Sequence, residues 1–253
     1  MKAWLKHPFR VTGRLLWLSG DLVLAAADFV FRWAFRPGKS RAARQAEWLQ
    51  HHSRRLLRIF QVQPQVAGQV PSAGLLVCNH LSYLDILVLA ACTPAVFVSK
   101  REIKYWPVFG WFACLCGTIF VDRERRTRVG RSNDEIQAAL DRGSLVILFP
   151  EGTSSDGQTV LPFKSALLEP AARQTGPLSL GLIRYELDDG DVGGEICYWK
   201  DMTFVPHAIN LLSKRTLRVF VRFAPSHTNG ADRKELARQL HLEILKLKTA
   251  PPV

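Results

Sequence analysis

Downstream of residue 61, short apolar runs alternate with longer stretches in which apolar residues recur at helical spacing. Apolar runs of about four to eight residues, rich in branched side chains, are typical of buried strands, and longer periodic stretches are typical of helices. The pattern predicts strands at residues 74–78, 95–99, 118–121, 145–149, 178–183, 195–199 and 216–223. It predicts helices at residues 83–91, 126–141, 164–175 and 231–248. This alternation indicates an α/β fold with a mixed, largely parallel sheet flanked by helices.

The N-terminal stretch 8–36 is the most apolar long segment, and its charged residues share one side of a predicted helix. At about 100° per residue they fall within a stripe roughly 80° wide. A helix of this length could cross a hydrocarbon core of about 30 Å. A span would bury Asp21 near its middle, however, at a cost of about 2.5–3.5 kcal/mol. The charged residues are Arg10, Arg14, Asp21, Asp28, Arg32 and Arg36.

Asp21 therefore favours a monotopic helix over a spanning one. Such a helix lies in the membrane interface, or packs on a partner helix with its charged stripe against polar groups. In the interfacial arrangement we expect the stripe to stay open to water along its whole length. A secretory signal is the third interpretation, since Ala25-Ala26-Ala27 could imitate a cleavage site, but Asp21 inside the apolar region argues against it.

A second amphipathic helix is predicted at residues 42–60, after the break at Pro37-Gly38. Arginines alternate there with aromatic and aliphatic residues. A solvated basic face would explain this pattern, and so would contact with an anionic membrane surface, where each cation contributes on the order of 1 kcal/mol. Beside the first helix, the pattern fits an anchor. The predicted organisation is a membrane-associating helical segment over residues 1–60 and one α/β domain over residues 61–253.

The composition adds a strong positive charge to this picture. The chain of 253 residues carries 34 lysines and arginines against 22 aspartates and glutamates, a net charge of +12. Such an excess indicates an anionic partner, which means phospholipid headgroups, a phosphorylated substrate or nucleic acid. The five cysteines show no zinc-type clustering, and most lie in apolar runs. Buried thiols of this kind are typical of a reducing compartment, so we expect the cytosolic side.

The stretch 78–85, Cys-Asn-His-Leu-Ser-Tyr-Leu-Asp, stands where a predicted strand ends and a helix begins. In open α/β sheets, ligands bind outside the carboxyl ends of the strands, which is where His80 stands. Asp85 can fold its carboxylate back towards the imidazole, and a histidine held by a carboxylate is the usual arrangement of a general base. The alternative is a capping box, with Ser82 as the N-cap and Asp85 in the first turn. The two interpretations are compatible.

Three further strand exits carry charged residues. Lys100 follows one strand, residues 117–123 end in Arg123, and residues 149–154 place Glu151 in a tight turn. Cations at successive strand exits predict a phosphate pocket, although a solvated turn would also explain Arg123. The sequence contains no G-x-S-x-G, H-E-x-x-H, P-loop or dinucleotide-binding motif.

Three motifs occur in one order: N-H-x-S-x-x-D at 79–85, G-x-I-F-V-D-R at 117–123 and F-P-E-G-T at 149–153. Their order and separation resemble those of the glycerolipid acyltransferases, the 1-acylglycerol-3-phosphate acyltransferase family, over roughly residues 75–184. The resemblance implies a membrane-associated O-acyltransferase of phospholipid biosynthesis. Its acceptor would be the free hydroxyl of 1-acylglycerol 3-phosphate, and its product phosphatidic acid.

Carried over to this chain, the resemblance implies that His80 is the general base and Asp85 its orienting partner. The donor would be acyl-CoA or acyl-carrier protein. Neither a metal nor a cofactor is expected, because an acyl thioester is already reactive and one positioned base can suffice. The implied substrate-binding residues are Arg123, which would bind the phosphate, Glu151, Gly152 and Thr153, with Lys100 and Lys164 at positions where bacterial members often have similar residues.

Two features depart from the family pattern. Ser154 stands where the third motif usually continues with an arginine, and the apolar strand at 180–183 lacks the usual proline. Residues 201–207 also resemble enzymes that acylate lyso-ornithine lipid, an acceptor without a phosphate. Lysophosphatidate remains the preferred acceptor, and lyso-ornithine lipid or another lysolipid is the alternative.

The non-enzymatic alternative is a basic protein that binds membranes or nucleic acid. It would explain the charge but would leave His80 and Asp85 without a role. We expect instead an enzyme on the cytoplasmic face of the inner or plasma membrane. Its expected partners are the lysolipid acceptor, the thioester donor and the anionic membrane surface, and not nucleic acid.

Overall fold

The computed structural model describes residues 7–33, 37–122, 126–173, 176–228 and 232–250, without the side chains of residues 32 and 126–131. The strands are β1 (Val62–Ala67), β2 (Gly74–Cys78), β3 (Val96–Lys100), β4 (Ile119–Val121), β5 (Leu145–Leu148), β6 (Leu178–Glu186) and β7 (Leu217–Pro225). The helices are α1 (Pro8–Asp28), which continues as a π-helix over Phe29–Trp33, α2 (Arg41–Phe60), α3 (Leu84–Cys92), α4 (Phe109–Leu115), α5 (Arg126–Asp141), α6 (Glu169–Arg173), α7 (Val192–Glu195), α8 (Phe204–Ser213) and α9 (Arg233–Thr249). Two 3₁₀ helices cover Arg101–Tyr105 and Ser165–Leu168.

Within these ranges the strands form one sheet in the order β1-β7-β6-β2-β5-β3-β4. Every described pair is parallel except β6 with β7, which is antiparallel. The predicted α/β class, with a mixed and largely parallel sheet flanked by helices, is confirmed.

Helices cover both faces of the sheet. Side chains from α1, α2, α3 and α8 form one apolar cluster, and side chains from α5, α6 and α9 form the other. In β2, Leu76 belongs to the first cluster while Leu75 and Val77 belong to the second, because successive side chains of a strand point to opposite faces. A strand buried on both faces is a continuous apolar run, and this is why it is visible in the sequence.

One predicted strand, at residues 195–199, is wrong. Asp191 accepts the N–H groups of Gly193 and Gly194 and so starts the short helix α7 instead. The chain then packs beside the end of β2, where the N–H of Tyr198 donates to the carbonyl of Leu81 at 2.8 Å. The elements β1, α4 and α8 were not predicted. Two predicted helices have an end, at residues 174–175 and at residue 231, that lies outside the described residues.

The charged stripe of α1 faces the protein, so the expectation that it stays open to water is wrong. Arg10 and Arg14 donate to the carbonyls of Ser213 and Leu212 at 2.7 and 2.9 Å, at the end of α8. Asp21, which is 2% exposed, accepts from Arg55 of α2 at 2.7 Å. The stripe thus packs against partner helices that supply its polar contacts. Arg36 and the side chain of Arg32 lie outside the described residues.

The opposite side of α1 is apolar and exposed. Phe9, Leu16, Val23 and Phe31, the last in the π-helix, expose 93, 71, 69 and 82% of their surfaces. Among the described helices, none combines the length and the apolar character that crossing a bilayer requires.

Candidate active site

The side chains of His80 and Asp85 meet at the carboxyl end of β2. Nδ1 of the imidazole lies 2.8 Å from Oδ2 of the carboxylate, whose side chain is fully buried, while the imidazole keeps 22% exposure. An ionised carboxylate can only accept, so in this pair Nδ1 carries the proton and Nε2 is the acceptor nitrogen. In the described part of the chain, Nε2 has no hydrogen-bond partner, and it is therefore the nitrogen left for a substrate.

Backbone groups just before α3 hold the carboxylate of Asp85 in place. The N–H groups of Leu81 and Ser82 donate to Oδ2 at 2.7 and 3.0 Å. Only half of the predicted capping box forms, namely the hydrogen bond from the backbone N–H of Ser82 to the carboxylate of Asp85. Tyr83 is the N-cap residue, and the hydroxyl of Ser82 is buried without a partner among the described residues. The carboxylate therefore closes the turn and orients the imidazole at once.

Tyr185 of β6 completes the contacts of Asp85. Its hydroxyl donates to Oδ1 at 2.6 Å. Burial, together with the negative charge of Asp85, raises the pKa of Tyr185 well above its ordinary value, so the hydroxyl stays a donor. This residue was not predicted, because the predicted strand ends at residue 183. A tyrosine in a buried strand requires a partner for its hydroxyl, and that requirement is the signal that could have pointed to it.

Two neighbours fix the position of His80. Phe149, directly after β5, stacks on the imidazole with the ring centroids 4.2 Å apart and an interplanar angle of 19°. Asn79 pairs with the backbone of Ile183, donating to its carbonyl at 3.0 Å and accepting its N–H at 2.7 Å. The side chain of Asn79 thereby continues the pairing of β2 with β6 beyond the end of β2.

Glu151 lies beside His80 because of the register between β2 and β5. Val77 pairs with Leu148, so the residues three positions further on reach the same level. Oε1 of Glu151 accepts the N–H of His80 at 2.7 Å, and Oε2 accepts the N–H of Leu161 at 2.8 Å. Burial raises the pKa of Glu151 to about 7, against these two N–H donors, which favour the charged form.

The described residues among the other predicted substrate-binding residues lie at different places around the sheet. Gly152 has φ +71°, which favours glycine, and Thr153 beside it is exposed. Lys100 ends β3, two strands away from β2. The side chain of Lys164 lines a cavity of about 90 Å³ beside Ile136 of α5, on the opposite face of the sheet from α3. Arg123 lies outside the described residues.

A larger cavity, of about 690 Å³, lies near the end of β2, but neither His80 nor Asp85 lines it. Asn79, Leu81 and Tyr185 form part of its wall, and aliphatic residues such as Leu182 and Val66 form another part. A space of this size can hold a small ligand, but its lining does not place that ligand at the imidazole of His80.

The arrangement has the parts of a one-base catalyst. A buried carboxylate fixes one nitrogen of a partly exposed imidazole, an aromatic ring fixes its plane, and the second nitrogen can take a proton. Such a base can activate a hydroxyl group that attacks an electrophile supplied by a second substrate.

A family model described as Acyltransferase matches residues 61–210. The lyso-ornithine lipid O-acyltransferases of Rhizobium meliloti and Brucella abortus are 33% and 36% identical to this chain, covering 79% and 75% of it and 74% and 77% of their own length. The 1-acyl-sn-glycerol-3-phosphate acyltransferase of Neisseria meningitidis serogroup B is 33% identical, with 70% of each chain covered. The crystal structure of the 1-acyl-sn-glycerophosphate acyltransferase of Thermotoga maritima covers 97% of this chain and 100% of its own, with a TM-score of 0.62 and 19% identity, and shows a shared fold.

Proposed function

Because the chain belongs to the acyltransferase family, we propose that it transfers a fatty acyl group from a thioester to the free hydroxyl of a lysolipid, with His80 as the general base. The family predicted from the three motifs is confirmed, and the chain is a lipid acyltransferase of the lysophosphatidate and lyso-ornithine lipid type. The contact between Nδ1 of His80 and the buried Asp85 is the observation that supports the catalytic roles.

In the proposed reaction, the hydroxyl oxygen of the acceptor attacks the carbonyl carbon of the thioester while Nε2 takes the hydroxyl proton. The tetrahedral intermediate then breaks its C–S bond, and the imidazolium gives its proton to the leaving sulfur. The products are the new ester and the free thiol of the carrier, and His80 ends neutral. Asp85 stabilises the imidazolium in between, because its charge lies 2.8 Å from Nδ1.

The proposed acceptor is lysophosphatidate, because the second motif ends in Arg123. A guanidinium suits a phosphate, since its planar fork binds two oxygens at once. Glu151, Gly152 and Thr153 form the turn next to His80 and are proposed to shape the acceptor site. Acyl-CoA or acyl-carrier protein is the proposed donor.

One observation favours a second acceptor, lyso-ornithine lipid. The hydroxyl of Ser154, which stands where the family's third motif usually has an arginine, hydrogen-bonds to the backbone carbonyl of Tyr198. This position therefore adds no cation for a phosphate. The relatives from Rhizobium meliloti and Brucella abortus carry the lyso-ornithine name. With such an acceptor, Arg123 would be dispensable.

We further propose that the enzyme works on the cytoplasmic face of the inner or plasma membrane, attached by α1. The outer side of α1 is apolar and exposed, and the net charge of +12 suits anionic headgroups. The acceptor lipid resides in the same bilayer, so attachment brings the base to its substrate.

A thioester assay tests the proposal. Purified full-length chain is mixed with acyl-CoA or acyl-carrier protein and with lysophosphatidate or lyso-ornithine lipid in mixed micelles, and the released thiol is measured. We expect release only when a lysolipid acceptor is present. The absence of release with every donor and acceptor would refute the proposal and favour the non-enzymatic basic protein.

The variant Arg123→Ala separates the two acceptors. Loss of a charged hydrogen bond is worth about 1.5–3 kcal/mol, so kcat/KM with lysophosphatidate should fall about ten- to hundredfold. With lyso-ornithine lipid it should not change. Arg142→Ala, at an exposed turn, is the matched control. Normal saturation of the Arg123 variant by lysophosphatidate would remove the phosphate role.

A further inference from the structure

A second exposed apolar surface lies outside α1, on the segment 105–111 (Tyr-Trp-Pro-Val-Phe-Gly-Trp). Tyr105, Val108, Phe109 and Trp111 expose 69, 52, 42 and 55% of their surfaces. Single exposed apolar side chains are normal on a protein, but a contiguous patch of large ones marks an interaction site.

The backbone at the tip of this segment is strained. Val108 has φ +65° and ψ −57°, and the N–H of Phe109 donates to the carbonyl of Pro107 at 2.7 Å. These values define a γ-turn of the rare, strained kind. A β-branched residue is a true outlier in this conformation, and such outliers cluster at functional sites. Here the strained turn holds a half-exposed valine at the surface.

The segment is supported from behind by close packing. A Cβ at position 110 would lie 2.2 Å from the carbonyl oxygen of Lys104, so only glycine lets α4 approach the preceding 3₁₀ helix this closely. The ring of Phe109 meets that of Phe204 edge-on, with the centroids 4.6 Å apart. Phe112 stacks on Trp48 of α2 with the centroids 6.1 Å apart. These contacts fix the position of the exposed residues.

The helix α4, which contains the end of the segment, and α1 both contact α2 and α8. Trp48 of α2 donates to the carbonyl of Ala25 at 3.2 Å and also contacts the ring of Phe29. The α8 helix contacts the N-terminal half of α1 through Arg10 and Arg14, and contacts the segment through Phe204. The two exposed apolar surfaces thus belong to the same layer of the molecule.

The surroundings of the segment suit an anionic surface. The five residues before it contain Lys100, Arg101 and Lys104 together with Glu102, and Arg101 is paired with Asp122 at 2.9 Å. The exposed lysines, Lys100 and Lys104, are thus the cations beside the aromatic residues, a combination typical of elements at the boundary of a bilayer. The ring of Phe204 also lies 5.1 Å from that of Tyr83, three residues after His80, so the patch adjoins the active-site side of the molecule.

We propose that segment 105–111 is a second membrane-inserting element, which enters the anionic surface of a bilayer beside α1. A single helix lying in the interface can roll about its axis, whereas two separate contacts fix the tilt of the enzyme. With the tilt fixed, the opening at His80 faces the lipid that carries the acceptor hydroxyl. A bilayer is favoured over a second copy as the occupant, because two copies would bring like charges together.

This inference extends the proposed membrane attachment and is independent of the chemistry at His80. The variant His80→Ala should therefore bind vesicles like the wild type even though it lacks activity. A failure of the catalytic proposal and a failure of this one are thereby distinguishable.

Vesicle binding by the full chain is the first test. Trp111→Ser should weaken binding to phosphatidylglycerol and phosphatidylethanolamine vesicles about tenfold or more, as expected when one large apolar side chain leaves the lipid phase. Leu242→Ser on α9 is the matched control, because this leucine is 43% exposed and lies on the other face of the sheet. Unchanged binding of the Trp111 variant, or equal losses in both variants, would overturn the proposal.

A depth probe is the second test. In a Cys114→Ser background, Val108→Cys and, as control, Leu242→Cys are labelled with an environment-sensitive dye, since Cys114 is the exposed native thiol of the described residues. The emission of the dye at position 108 should shift to the blue when vesicles are added, and that at position 242 should not. A dye at position 108 that stays in water on vesicle-bound protein would overturn the proposal. So would a shift that appears without lipid as the protein concentration rises, because it would identify a second copy as the occupant.

Discussion

The described part of the chain contains two aspartate–histidine pairs of opposite design. In one, Nδ1 of His80 lies 2.8 Å from Asp85 at the edge of the sheet. In the other, Nε2 of His52 lies 3.2 Å from Asp28 between α1 and α2. The side chain of His80 is 22% exposed, whereas that of His52 is 5% exposed, and burial lowers the pKa of His52.

The second nitrogen distinguishes the two pairs. Nδ1 of His52 is buried without a partner among the described residues, and the rings of Trp48 and His51 enclose the imidazole at centroid distances of 4.9 and 5.0 Å. The comparison teaches that a carboxylate beside a histidine does not make a base. The other nitrogen must also be open to a substrate, which holds for His80 and not for His52.

Removal of each imidazole should show the largest difference between the two pairs. His80→Ala should lower kcat by about 10²–10⁴-fold without unfolding the chain, since the base acts only in the transition state. His52→Ala should leave kcat nearly unchanged but lower the free energy of unfolding by about 1–3 kcal/mol, because it removes a buried partner of Asp28. Steady-state thiol release and denaturant unfolding measure the two effects. A large loss of kcat in the His52 variant at full folding would contradict the assignment.

The carboxylates should differ in the same way. Asp85→Asn should lower kcat on the order of 10²-fold or more, because an amide neither fixes the same tautomer nor stabilises the imidazolium. Asp28→Asn is the matched control and should keep its activity. If Asp85→Asn stays active, closing the turn of α3 is its whole role and the proposed pair is wrong.

The tyrosine behind Asp85 should have a smaller effect. Tyr185→Phe removes the 2.6 Å hydrogen bond to Oδ1 and should lower kcat about tenfold with KM unchanged, because it loosens the carboxylate without touching substrate. The control is Tyr198→Phe, whose ring lies 5.5 Å from that of Tyr83 and whose hydroxyl does not contact Asp85. Parallel losses of kcat and folded fraction in the Tyr185 variant would indicate a structural role only.

Glu151 should affect stability and its dependence on pH. Its pKa is raised to about 7 in the folded chain, from an ordinary value of 4.5. Between these two pH values the native state binds a proton that the unfolded state has released. The contribution to stability is therefore present at low pH and is lost as the pH rises towards 7, by on the order of 1–3 kcal/mol. Glu151→Gln should remove this part of the pH dependence. Unfolding free energies of both proteins at pH 5 and pH 7.5 measure it, and identical pH slopes would contradict the raised pKa.

The sequence was informative where local order determines the structure. Strands buried on both faces are continuous apolar runs, and parallel strands bring their carboxyl ends to one edge, so His80 and Glu151 were predicted at that edge. The pairing of Asp85 with His80 follows from a separation of five residues across the start of a helix. Each of these predictions depends on neighbours in the chain.

Contacts between distant segments could not be predicted in this way. Tyr185 is 100 residues from Asp85, and His52 is 24 from Asp28. The charged stripe of α1 was visible, but its direction was not, since the groups that satisfy Asp21 and Arg14 belong to α2 and α8. The strained turn at Val108 lies where α4 packs against the preceding 3₁₀ helix, and no local sequence pattern predicts it.

The tautomer of His80 is the most direct test of the central claim, that Asp85 holds one ring nitrogen so that the other can accept the proton of the acceptor. Long-range ¹H–¹⁵N spectra of the full chain in micelles, with His80 assigned from the His80→Ala variant, report which nitrogen of the neutral ring is protonated. We expect a protonated, hydrogen-bonded Nδ1 and an unprotonated Nε2, and we expect this preference to disappear in Asp85→Asn. A proton on Nε2 of the neutral ring in the wild type would contradict this claim.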